Sequence, residues 1–352
     1  MSAVRLAVVD DSTFVRKAIE RMLMNDPRVD VVGTASSGEE LLANLALWQP
    51  DVITLDLSMP GIGGLVTLDR IMTVRPTPVI ILSTHAGRGA PQTIEALHRG
   101  AADFIDKQQY SLVDFRALQD VLVQTVLAVT AAAGGAAVRH PRPVGGPQGE
   151  GDVGGAEIEA LLLGASTGGP PAIEQVLDDL GGDCPVPVLV VQHMPMGFTR
   201  AFADRLNAHL ALEVHEAEDG TVLEAGTVYI GPAGLHLRIV RLGDRLAISL
   251  STRPEAVSHR PSVDELFLSA LPTLGRRSAA VLLTGMGRDG AEGMLALART
   301  GAYTLAQDEP TSVVWGMPGS AVGQGAAREV LPLGRIGPRL RELLAIRREA
   351  SV

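Results

Sequence analysis

Two groups of residues in this 352-residue sequence have the types and spacing to do chemistry. The first is Asp10, Asp11, Asp56, Ser83 and Lys107. Each closes or follows a short apolar run: VRLAVV leads into Asp10-Asp11, DVITL into Asp56, VIIL into Ser83, and DFID into Lys107. Asp10, Asp11 and Asp56 supply hard oxygens that suit Mg²⁺, a cation that keeps some waters and bridges readily to a phosphate. Asp56 can then attack a phosphorus centre and form an aspartyl phosphate. Ser83 and Lys107 are suited to bind the phosphoryl oxygens.

The second group starts in EALLLGASTGGPP, Glu159 to Pro171, where three leucines run into glycines and two prolines open a helix. Two chemistries compete at this turn. Its glycines can cradle a phosphate on the helix N-terminus, or the turn can hold Ser166 out as a nucleophile, since Gly164-Ala-Ser-Thr-Gly168 fits G-x-S-x-G. The phosphate reading lacks a Gly-Lys-Ser/Thr and a G-x-G-x-x-G, because the local glycines are Gly164, Gly168 and Gly169. A nucleophile needs a base, an orienting acid and oxyanion donors. VLVVQHMP brings His193 to the end of the next strand, and VLLTGMGRDG brings Asp289 just beyond a later one. An α/β-hydrolase runs Ser, acid, His, and no histidine follows Asp289. Either the order is Ser166–His193–Asp289, or the acid is another residue. A triad is defined by geometry rather than by order.

The elements that must position these residues alternate. Residues 4–130 read as five strand–helix units, the last helix running from about Ser111 to Thr130. Such alternation predicts a parallel sheet covered on both faces. Residues 131–156 are rich in Gly, Pro and Ala with no apolar period, and are expected to form a flexible linker. From residue 157 a second α/β pattern begins. It has strands at LLLG, PVLVVQH, TVYIGP, AAVLLTG and YTLAQD, a hairpin turning at Gly243-Asp244, and a terminal helix within 334–348. No internal repeat relates the halves, so two different α/β domains are expected.

Composition narrows the function. The chain is 46% hydrophobic and 20% charged, with a formal net charge of −10. An acidic chain without a Lys/Arg-rich run or a basic helix-turn-helix segment is a poor nucleic-acid binder. No apolar run approaches ~18 residues, so no membrane insertion is expected. The N-terminus does not read as a signal peptide. The single cysteine, Cys184, cannot form an internal disulfide. These features point to a reducing cytoplasm.

Residues 4–130 closely resemble a two-component receiver domain, through VVDDSTFVR, LDLSMPGIGG and DFIDK. The resemblance implies a flavodoxin-like doubly wound sheet, Asp56 as phosphoacceptor from a partner histidine kinase, and Phe104 as the aromatic switch residue. Three positions depart from the pattern. Gln108 replaces the usual proline after Lys107, which bears on the expected cis peptide. Gly63 and Ser58 stand where acidic residues are common. Residues 158–348 resemble the catalytic domain of the chemotaxis receptor methylesterases. The carrying motifs are LLGASTGGP, VVQHMPMGFT, YIGPAGLHL, SHRPSVDELF, LLTGMGRDGAEGM and AQDEPTSVVWGMP. The receiver–linker–esterase order is that family's order. Gly319-Ser320 departs from it where a basic residue is common.

This second resemblance implies a Rossmann-like esterase domain. Ser166 would be nucleophile, His193 base and Asp289 orienting acid, with backbone N–H groups near Thr167 and Met286 as the oxyanion hole. His259 matches a polar residue beside the site. The implied reaction is hydrolysis of glutamate γ-methyl esters on methyl-accepting chemoreceptors, with deamidation of receptor glutamines by the same machinery. No cofactor is expected for that reaction, Mg²⁺ being needed only for receiver phosphorylation. The receiver would obstruct the esterase until Asp56 is phosphorylated. A monomer is expected. The alternative from another class is a phosphorylation-controlled scaffold whose second domain is not catalytic.

Overall fold

The structure, a computed structural model, describes residues 3–83, 90–107, 115–133, 157–255, 257 and 259–345. The chain divides into two compact units, Met1–Ala137 and Val138–Val352.

The first unit alternates strand and helix throughout: β1 (Val4–Val9), α1 (Thr13–Leu23), β2 (Val29–Ala35), α2 (Gly38–Trp48), β3 (Val52–Leu55), α3 (Gly63–Val74), β4 (Val79–Ser83), α4 (Ala90–His98), β5 (Asp103–Asp106) and α5 (Phe115–Ala133). Its sheet runs β2-β1-β3-β4-β5, with every pairing parallel. This is the doubly wound order the sequence predicts. The order reverses at β1, which opens a crevice beyond the carboxyl ends of β1 and β3. Strand β3 is buried along its whole length, as a central parallel strand covered on both faces must be. On one face Leu6, Val8, Ile80 and Leu82 pack against Ile19 of α1 and Val126 of α5. Helix α1 starts where Ser12 Oγ accepts the Val15 N–H, a cap that satisfies an orphan donor of the first turn.

The second unit carries a seven-stranded parallel sheet. Its elements are β6 (Ala160–Ala165), α6 (Gly169–Leu180), β7 (Val188–Gln192), α7 (Phe198–His209), β8 (Glu213–Glu216), β9 (Thr227–Ile230), β10 (His236–Leu242), β11 (Arg245–Ser251), α8 (Val263–Thr273), β12 (Ser278–Leu282), α9 (Ala291–Arg299), β13 (Tyr303–Gln307), α10 (Met317–Gly323), β14 (Glu329–Leu331) and α11 (Leu333–Leu343). The sheet order is β14-β13-β12-β6-β7-β9-β8, and β10–β11 is a separate antiparallel hairpin. From β6 the chain builds first to one side through β7, then returns to the other through β12. A switch point therefore lies at β6, where open α/β sheets place their sites. The hairpin residues Ile239 and Ile248 share a core cluster with Leu266 and Phe267 of α8.

Four elements depart from the sequence reading. Strand β8 has a single buried apolar residue, Val214, too little for a visible alternation. Strand β14 is three residues long. Helix α10 is short and carries one proline and two glycines, which mask any helical signal. Helix α5 continues to Ala133, past the expected end at Thr130. Its expected start at Ser111, and the linker from residue 134 to 156, lie outside the described residues.

Phe267 is fully buried between α8 and its neighbours. Phe267→Ala should destabilise the second unit by about 3–5 kcal/mol. Trp315 fluorescence in a Trp48→Phe background reads that unit alone, because the chain has two tryptophans, one in each unit. An unchanged urea midpoint would show that Phe267 is not a core residue.

Candidate active site

Ser166 follows the last residue of β6, and His193 follows the last residue of β7. Ala165 and Gln192 are register partners, and the His193 N–H donates to the Ala165 carbonyl at 3.1 Å. One ladder step thus sets serine and histidine side by side. From Ala160 to Pro170 every residue is buried except Ser166, which is half-buried. The turn after it needs Gly168 at φ +74, a left-handed conformation that costs glycine nothing. On the other flank, the Ser166 N–H donates to the Thr284 carbonyl at 3.0 Å. A Cβ on Gly285 would lie 2.8 Å from the Ser166 Cβ. The missing side chain lets the loop after β12 close on the serine at Gly285.

Asp289 completes the group. Its Oδ2 accepts from His193 Nε2 at 2.8 Å and from the Val263 N–H at 2.7 Å. Its Oδ1 accepts from Ser262 Oγ at 2.8 Å and from the Asp264 N–H at 3.0 Å. Val263 opens α8 with Ser262 as its cap, so the carboxylate sits on a helix N-terminus, where a negative charge is favoured. Burial alone would raise its pKa. The His193 hydrogen bond and charge, with the N–H groups of Asp264 and Val263, outweigh burial and hold it well below the usual carboxylate range. Its neighbour Asp264 goes the other way, pushed up to about 6 by burial and by the Asp289 charge, although the Gly293 N–H opposes the shift. Two adjacent carboxylates resist ionising together, and Asp289 takes the charge.

With Nε2–H donating to Asp289, the lone pair of His193 is on Nδ1. That atom is buried and has no hydrogen-bond partner among the described residues. A histidine so oriented can take a proton from a serine hydroxyl, and such bonds commonly tighten only when substrate is bound. The His193 ring stacks on His259, with centroids 4.1 Å apart and planes at 15°. His259 is itself exposed. Its stacked ring face is nonetheless shielded from water, and that lost hydration, then the nearby His193, lower its pKa against the pull of Asp289, which favours the neutral ring. The structure brings together Ser166, His193, Asp289 and His259, with Thr167 following the serine and Met286 following Gly285. Sequence reasoning missed Ser262, whose signal was the capping box Ser262-x-x-Glu265. It also missed Gln192, a lone polar residue closing an apolar strand.

The receiver crevice gathers Asp10, Asp11 and Asp56, with one carboxylate oxygen from each within 4.8 Å of the others. Lys107 Nζ donates to Asp10 Oδ2 at 2.6 Å and to Asp56 Oδ2 at 3.4 Å. Burial raises the Asp10 pKa and Lys107 opposes it. An all-oxygen, partly buried set of this kind fits a hard divalent cation such as Mg²⁺. Phe104 lies in β5, in register with Ile81 of β4. Ser83 closes β4, but its side chain, like Gln108, lies outside the described residues. Gly63 has φ +74 at the start of α3, which favours glycine there over an acidic residue. Ser58 donates its N–H to Asp56 Oδ1 at 3.1 Å. A Cβ at Gly319 would reach 3.0 Å from the Trp315 ring.

Two family models match this chain: CheB methylesterase over residues 161–340 and response regulator receiver domain over residues 6–117. A Xanthomonas campestris pv. campestris protein named protein-glutamate methylesterase/protein-glutamine glutaminase 1 is 41% identical over 353 residues, covering 97% of this chain and 98% of its own. The chain belongs to the CheB methylesterase family. A Myxococcus xanthus CheB-family relative of the same name is 42% identical over 349 residues, covering 98% of both chains. The crystal structure of the Thermotoga maritima CheB methylesterase catalytic domain matches with a TM-score of 0.52 at 37% identity, spanning 53% of this chain and 99% of that one. Among the described residues of this CheB-family protein, no helix is long and apolar enough to cross a membrane.

The depressed Asp289 pKa carries a pH dependence. A carboxylate whose folded pKa lies below its unfolded value of 3.8 stabilises the fold above that value. The contribution disappears as pH falls through the folded pKa. Wild-type protein should therefore lose urea resistance more steeply than Asp289→Asn below about pH 4. Parallel losses for the two proteins would contradict the assignment.

Proposed function

We propose that this protein is a phosphorylation-activated serine esterase of sensory adaptation. It hydrolyses γ-glutamyl methyl esters of methyl-accepting chemoreceptors in the cytoplasm and deamidates receptor glutamines. The observation that carries the reading is the His193 Nε2–Asp289 Oδ2 bond of 2.8 Å, which leaves Nδ1 as the basic atom of a ring that stands one ladder step from Ser166. Ser166 Oγ attacks the ester carbonyl while His193 Nδ1 takes its proton. Asp289 stabilises the imidazolium and holds the ring's tautomer without itself being protonated. The backbone N–H groups of Thr167 and Met286 receive the oxyanion. His193 returns the proton to the leaving methoxide, methanol departs, and water cleaves the acyl-enzyme with His193 again as base. A glutamine side chain follows the same course with ammonia leaving. His259 walls the base and, being neutral, adds no competing cation.

In the receiver, Asp56 takes the phosphoryl group from a partner histidine kinase. Asp10, Asp11 and Asp56 would hold Mg²⁺, which supplies positive charge against the transferring phosphoryl group. Lys107, with Ser83, binds the phosphoryl oxygens, and Phe104 reports the new state through β5. The working divisions are residues 1–130 for the receiver, 131–156 for the linker and 157–352 for the esterase, in a monomer.

Ser166→Ala should lower turnover of methylated receptor by several orders of magnitude with folding intact. Asp289→Asn should cost less, since orienting a base is a smaller role than nucleophilic attack. Methanol release is the assay, and near-wild-type release by Ser166→Ala would end the proposal. A serine-reactive phosphonate that failed to label Ser166 would favour a scaffold instead. Asp56→Asn, like removal of Mg²⁺, should abolish activation by a small phosphodonor and leave the basal rate. Activation that survived in Asp56→Asn would place the phosphoacceptor elsewhere.

A further inference from the structure

Gln192 closes β7 and is 2% exposed. Its Nε2 donates to two carbonyls at once, Ser166 at 2.9 Å and His193 at 3.0 Å. These belong to the two residues on which the proposed proton transfer depends. The Ser166 carbonyl also accepts the Gly169 N–H at 2.8 Å. Because a peptide unit is planar and trans, its C=O and the following N–H point in opposite directions. Two donors that fix the Ser166 carbonyl therefore also fix the direction of the Thr167 N–H.

Glycine at 169 makes this possible. A Cβ there would lie 1.9 Å from Gln192 Oε1, so the glutamine side chain occupies the space that any larger residue would need. Oε1 itself is buried with no hydrogen-bond partner among the described residues. Turning the amide over would set that oxygen against two carbonyl oxygens, which only accept. The unpartnered acceptor is the cost of aiming both N–H bonds at the turn, and such orphans concentrate at functional positions. On the opposite flank Thr284 Oγ1 donates to the Thr167 carbonyl at 2.9 Å, so the next peptide unit is held as well.

We infer that Gln192 is a positioning residue: it aims the Thr167 N–H at the oxyanion and ties the Ser166 turn to the His193 backbone. The inference rests on the esterase reading given above. It predicts a loss confined to the transition state, because an ester in the ground state gains little from a well-aimed donor.

The test uses the full chain activated by phosphodonor, a small soluble ester as substrate, and phenylboronic acid as the probe. Boronate adds to a serine hydroxyl and places a tetrahedral anion where the oxyanion forms. The variants are Gln192→Met, which removes the donor at similar volume, and Gln192→Glu, which keeps the shape but replaces the donor with an acceptor. Both should lower kcat by about 10- to 100-fold, short of the roughly 10²- to 10³-fold loss from deleting an oxyanion donor outright. KM should stay within about twofold, while boronate affinity falls in step with kcat. A folded variant of either kind that keeps its kcat, or whose loss lies in KM with boronate affinity unchanged, would overturn the inference. Boronate binding to wild type that survives Ser166→Ala would instead count against the esterase reading.

Discussion

The second unit is organised around one half-buried negative charge. The Asp289 carboxylate receives four hydrogen bonds, from His193 Nε2, Ser262 Oγ and the N–H groups of Val263 and Asp264. Without them an ionised group at this depth would neutralise itself by taking a proton. The donors are drawn from distant parts of the chain: the end of β7 and the first turn of α8. The sheet must bring β12 beside β6 and β6 beside β7, and α8 must present its N-terminus to the loop after β12. Imidazole orientation, ring tautomer and the location of the basic lone pair follow from that single placement.

The two units reach different chemistry from the same architecture. Each is a parallel sheet whose strand order reverses, and each gathers polar residues beyond the carboxyl ends on either side of the reversal. In the first, three carboxylates meet one ammonium, an arrangement for a cation and a phosphoryl group. In the second, one carboxylate is enclosed by donors, so its charge acts only through an imidazole. What differs is the supply of backbone N–H groups. Asp10 and Asp56 each accept one, from Ser12 and Ser58, and keep oxygen faces for other partners. Asp289 accepts two and a hydroxyl besides.

Much of this was legible in the sequence because both sites stand at strand ends, and strand ends are marked by where apolar runs stop. Asp10, Asp56, Lys107, Ser166 and His193 were all found that way. Asp289 was harder, since it lies in a glycine-rich turn several residues past β12, and motif resemblance singled it out. Its retaining donors left almost no trace. A backbone N–H has no residue type, and Ser262 shows only as one end of a capping box. The placement of β9 between β7 and β8 was likewise hidden, because four-residue strands carry no sign of their neighbours. Gln192 stands within VLVVQHMP, yet nothing in a single sequence separates a clamp from a polar strand end.

The donors around Asp289 have a bearing on how such a protein ages. Two of its four hydrogen bonds come from backbone groups in the first turn of α8, and a third comes from the cap of that helix. Helix ends open locally at far lower free energy than the whole fold. Opening of that turn, which would also draw Val263 out of the hydrophobic cluster, would release the carboxylate and free the imidazole to rotate while the sheet stayed paired. Inactivation on warming would then run ahead of the loss of ellipticity. A stored sample could keep its spectrum and elution volume while its fraction of titratable serine declined, so active-site counting, rather than any measure of shape, is the proper gauge of its quality.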